Sequence, residues 1–179
     1  MNTTISKPKL GRSARRAVLV VHVTASASWL GLTLGLLALG ITAATTGSAV
    51  SVEASVRAML LFADWLLLPV ALLTLLSGLV LSLGTAWGLA RHRWVVTKFW
   101  LTLATTAATA FALRPGVSAA VTAVTAGGPL PDAGHVLFGP VVSLSAYVFM
   151  TAISVLKPWG PTRRGRRLRA LASGTPKGT

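Results

Sequence analysis

The sequence predicts an all-α polytopic membrane protein, a bundle of four transmembrane helices with both termini in the cytoplasm. Three observations carry that expectation. The 179 residues are 53% hydrophobic and only 11% charged, too few charges to keep a soluble domain of this size dissolved. Four apolar stretches each reach the roughly 20 residues that cross a hydrocarbon core of about 30 Å. The positive charges sit almost wholly on one side of those stretches.

The spans fall at about 17–43, 59–86, 94–113 and 135–156, between a basic segment 1–16 and a basic tail 158–179. Span one holds His22 as its only ionisable group. It far exceeds the 7–15 residues of a signal-peptide core, so it is expected to remain as a membrane helix. Span two carries Pro69, whose missing N–H is expected to kink it. Span three is the least apolar of the four and carries Lys98 near its start, placed to snorkel back to the lipid phosphates. Span four follows Asp132, with Gly139 and Pro140 loosening its first turns. Between spans three and four, Pro115 and Gly127-Gly128-Pro129 bracket Val117–Ala126, which reads as a short helix lying on the outer interface.

Orientation follows from the loops, because Lys and Arg in short loops stay cytoplasmic. Fifteen of the seventeen basic residues fall before span one, around Arg91–Lys98, or after span four. Arg57, Arg114 and all three acids (Glu53, Asp64 and Asp132) fall on the other side. A net +14 would point to nucleic acid in a soluble protein. Here the cluster Arg163–Arg169 lies beside a membrane span and is expected to hold anionic lipid at the cytoplasmic face, at about 1 kcal/mol per residue, with no nucleic-acid partner. The end of the tail, past Leu171, has nothing to bury and reads as disordered.

Helices in lipid associate through close contact of small residues. Span one offers Ala27, Gly31, Gly35 and Gly40, span two Thr74, Gly78 and Ser82, span three Ala104, Ala108 and Ala112. These fit internal packing, with a homo-oligomer or a membrane partner as the other use. Span four carries Ser143, Tyr147, Thr151 and Ser154 as a stripe expected to face protein.

Cysteine is absent, which removes disulfides, thiolate metal sites and a thiol nucleophile. No nucleotide loop, zincin helix or paired-carboxylate site is present, so a non-enzymatic structural or accessory subunit with no cofactor is the leading expectation. Ionisable groups within spans are costly and therefore candidate sites. His22 lies about five residues, roughly 7–8 Å, into span one. With Ser26, Trp29, Tyr147 and Thr151 it forms a candidate polar core. It is expected to face inward and bond a hydroxyl or backbone carbonyl of a neighbouring helix. Met150 reaches a similar depth, so a His22/Met150 pair is the one arrangement that suits haem and electron transfer. Met59, Asp64 and His135 approach the outer mouth and supply thioether, carboxylate and imidazole ligands suited to a copper or small-cation transport site. Asp64 is also expected to pair with Arg114 or Arg57, with Glu53 and Asp132 in solvent.

The run His22-Val-Thr-Ala-Ser-Ala-Ser-Trp29-Leu-Gly31, with Pro69, Ser77-Gly78 and Arg91–Trp100, resembles an uncharacterised family of predicted four-helix bacterial integral membrane proteins, a domain of unknown function. More distantly it is similar to the membrane domain of copper-resistance protein D. The nearer resemblance implies a multi-pass location in a bacterial cell membrane. The distant one implies copper handling, for which this chain lacks further intramembrane histidines. The Ala/Gly/Arg-rich composition suits a high-GC source.

Overall fold

In the computed structural model, which describes residues 10–84, 92–131, 133–156, 159–163 and 166, the chain is all-helical. Four helices are long and apolar enough to cross a membrane. They are α1 (Arg12–Thr45), α2 (Ala49–Gly84), α3 (Arg93–Thr125) and α4 (Ala133–Leu156). Among the described residues there is no strand, only an isolated bridge between His92 and Pro161. The parts of the sequence reading that concern the end of the tail, Asp132 and the His135 side chain lie outside the described residues.

Each helix packs on its neighbours in sequence, and α4 closes the ring on α1. The Leu10 amide donates to the Gly84 carbonyl at 3.2 Å, and Pro161 bridges to His92. The start of α1, the end of α2, the start of α3 and the chain after α4 therefore share one end of the bundle, the near end, and the other is the far end. The opposite end gathers the α1–α2 turn at Thr46–Ser48 against Val124–Leu130. That turn is short because Ser48 caps α2 directly, its Oγ accepting from the Ser51 amide at 3.3 Å.

Helices α2 and α3 run longer than the spans read from the sequence, and the short separate helix expected at Val117–Ala126 is instead the last part of α3. A proline explains the second difference. A proline inside a helix lacks the N–H for the carbonyl four residues back and crowds it. Here the turn before each proline widens to π geometry, Ala63–Leu67 before Pro69 and Thr109–Leu113 before Pro115. The Arg114 amide accordingly donates to the Thr109 carbonyl, five residues back. The bulge absorbs the clash, and the helices continue past the kink expected at Pro69 and the boundary expected at Pro115.

The core lies at mid-height and toward the far end, around Trp29, Leu36, Ala43, Val56, Met59, Leu67, Ala71, Val117, Ala120 and Val136. Small residues serve it unevenly. An added Cβ at Gly35 would sit 3.4 Å from Phe62, and one at Gly40 would meet Leu137 at 3.2 Å and the Val136 carbonyl oxygen at 3.3 Å. Ala27 and Gly31 instead face outward, so only the later half of the span-one series packs inward, while Ala104 is exposed and Ala108 and Ala112 border a cavity shared with α1, α2 and α4. Thr74 and Ser82 are buried, and that series does pack inward.

Candidate functional site

The two ends of the bundle treat their charges differently. At the far end every described carboxylate has a cation. Glu53 pairs with Arg57 one helical turn on, and Asp64, within the first π turn, takes Arg114 Nε at 2.5 Å. The second pair joins the two π turns of α2 and α3. Both pairs are partly exposed to solvent or headgroups, which holds each to about 0–1 kcal/mol. The expected partner for Asp64 is present, with Arg114 rather than Arg57 in the role.

At the near end, His22 projects from α1 onto α2. Its Nδ1 lies 3.0 Å from Ser77 Oγ and 3.2 Å from the Thr74 carbonyl oxygen. The Ser77 hydroxyl spends its proton on the Leu73 carbonyl at 2.6 Å, so both contacts require Nδ1 to donate. The proton on Nδ1 leaves Nε2 of the neutral ring with its lone pair. Gly78 makes the approach possible, since a Cβ there would stand 3.1 Å from His22 Cε1. The expectation of an inward His22 bonded to a hydroxyl or backbone carbonyl of a neighbouring helix holds, with α2 as that helix. The signal that the sequence reading passed over is the spacing of Thr74, Ser77 and Gly78, which places two oxygens and a gap on one face of α2.

Lys98 does not snorkel as expected. Its Nζ turns into the bundle and donates to Ser154 Oγ of α4 at 2.7 Å, while the Ser154 hydroxyl donates to the Met150 carbonyl at 2.7 Å. One turn further along, Thr102 Oγ1 donates to Met150 Sδ at 3.4 Å. Between His22 and Lys98 lies a cavity of about 170 Å³, walled by α1, α2 and α3. Its lining is mostly apolar: Leu75, Leu79, Val95 and Phe99 surround the two ionisable groups, with Trp94 at the rim of α3.

No family model matches the chain, and neither a curated protein nor a solved structure does. The site therefore has to be read from its own geometry.

That geometry separates most of the residues that depth alone had grouped. Trp29 is buried at 3% exposure, but it stands in the apolar core with its indole N–H unpartnered, and so is no member of a polar cluster. Thr151 faces outward and returns its hydroxyl to the Tyr147 carbonyl at 2.9 Å, which removes it from the candidate polar core. Tyr147 and Ser26 are half-buried. Met150 does not line the His22 cavity, its sulfur being taken by Thr102. Met59 is fully buried beside Gly40, whereas Asp64 is held by Arg114. Among the described residues no group of three or more His, Asp or Glu is placed to hold a metal ion.

Proposed function

We propose that the protein is a non-enzymatic, multi-pass component of a bacterial cell membrane, both termini cytoplasmic, serving as a structural or accessory subunit. The observation that carries this reading is the polarity of the bundle. The near end holds Arg12, Arg15, Arg16, Arg93, Arg163 and Arg166 beside four apolar helices, and the far end holds the described carboxylates in ion pairs. Basic residues massed at one end fit a cytoplasmic face held by anionic lipid. Trp65, 73% exposed next to Asp64, fits an aromatic anchor at the opposite interface.

The same separation argues against carboxylate-assisted acid–base catalysis. The imidazole and the ammonium lie at one end, the described carboxylates at the other, and general acid–base chemistry needs its partners within about 3 Å of a shared substrate. Outward-facing Ala27, Ser28 and Gly31 on α1 suit lateral contact with another membrane helix, in keeping with a subunit role. Location in the cell membrane and kinship with the uncharacterised four-helix family belong to the same proposal.

Protein purified in mild detergent without chelator tests the reading against its two rivals. An absorption spectrum without a Soret band, and substoichiometric copper, iron and zinc, are expected. A Soret band lost on His22→Ala would establish haem ligation instead, and one tightly held copper per chain would establish metal handling.

A further inference from the structure

The cavity between α1, α2 and α3 has a charge that no described carboxylate balances. Among the described residues Lys98 reaches a neutral acceptor, Ser154 Oγ. The described acids are engaged elsewhere, Glu53 by Arg57 and Asp64 by Arg114, at the other end of the bundle. A cation within apolar walls and without a counter-charge is costly, and an anion that enters with its own apolar body relieves that cost while filling the space.

We propose that this cavity binds a carboxylic acid with an apolar body, its carboxylate on Lys98 Nζ and its hydrocarbon against Leu75, Leu79, Val95 and Phe99. Three features select this class. The volume of about 170 Å³ lies below the 300–1,000 Å³ of ordinary ligand pockets, so it takes a small headgroup and a few methylenes rather than a phosphoglycerol. A single ammonium matches one negative charge. A neutral His22, its Nδ1–H held by the Thr74 carbonyl and the Ser77 hydroxyl, adds no second cation to the wall, so the ligand enters as the carboxylate. The chemistry is the same whether the acid comes from the bilayer as a fatty acid or from water as a small apolar acid. The proposal adds a ligand to the subunit role and does not depend on that role being correct.

Binding is measured by calorimetry on the full chain in phosphatidylcholine nanodiscs, with decanoate, decan-1-ol, decyl phosphate and benzoate compared at equal mole fraction in the bilayer. Decanoate is expected to bind about tenfold more tightly than decanol, the worth of one charge-assisted contact. Benzoate competing with decanoate identifies entry from water, and decanoate binding alone identifies entry from the bilayer. Lys98→Gln should abolish the preference for the acid, and Lys98→Arg should keep most of it. Leu75→Trp, which fills the cavity without touching the charge, should abolish binding and provides the test if Lys98→Gln does not fold. Equal affinity for decanoate and decanol, tighter binding of decyl phosphate, or unchanged decanoate binding in Lys98→Gln or Leu75→Trp would each overturn the proposal.

Discussion

Gly40→Val is expected to cost the fold about 3 kcal/mol, near the upper end of what overpacking a tight site costs, and Gly40→Ala about 1 kcal/mol. The reason lies in α4. Pro140 has no N–H to offer the Val136 carbonyl four residues before it, so that oxygen is left to face α1, where only a glycine lets the backbones come this close. A Cβ on Gly40 would stand 3.3 Å from the Val136 oxygen, 3.2 Å from Leu137 and 3.8 Å from the Met59 methyl. A side chain could move aside, but a backbone carbonyl held in a helix yields little. Gly31 is the control, since a Cβ there meets nothing within 4 Å. Thermal unfolding in detergent should therefore rank wild type and Gly31→Val together, then Gly40→Ala, then Gly40→Val. A Gly31→Val loss as large as that of Gly40→Val would mean that the outward face of α1 is itself packed against a second chain.

Trp29→Ala is expected to be the most damaging single truncation, at about 3–5 kcal/mol for an aromatic removed from a packed core. The indole is 3% exposed and contributes to the central cluster with Leu36 and Ala71. Trp29→Phe should behave quite differently. The indole N–H is buried without a partner, and a donor in that position costs about 1–3 kcal/mol. Phenylalanine gives up some packing but removes the stranded donor, so the two changes offset and the variant should lie within about 1 kcal/mol of wild type. A Phe variant as unstable as the Ala variant would show that the N–H is satisfied in the folded protein.

The four helices were legible because hydrocarbon thickness fixes a minimum run of apolar residues, and nothing in the chain competes with that signal. What the sequence obscured were features decided by a neighbouring helix. Pro69 and Pro115 read as a kink and a helix start, because local rules do not say whether tertiary packing will carry a helix across a proline; here π turns let both helices continue. Thr151 read as protein-facing because a hydroxyl in lipid needs a partner, yet the partner is the carbonyl four residues back in its own helix. Lys98 read as snorkelling because its acceptor, Ser154, is 56 residues away on another span. His22 was the legible part of the site: a short side chain at that depth has to turn inward. Its docking face on α2 was not legible from depth, because all four spans offer hydroxyls at similar heights.

The subunit role requires a bundle that stands in the membrane with its basic end in the cytoplasm. The chain contains no cysteine, so a single introduced thiol reports one position without background. Gly47, in the α1–α2 turn, and Gly160, after α4, both have open space around them and lie at opposite ends of the bundle. In intact cells a membrane-impermeant maleimide should label Gly47→Cys at once and Gly160→Cys only after permeabilisation. Labelling of Gly160→Cys in intact cells with Gly47→Cys protected, or labelling of neither or both, would contradict the account.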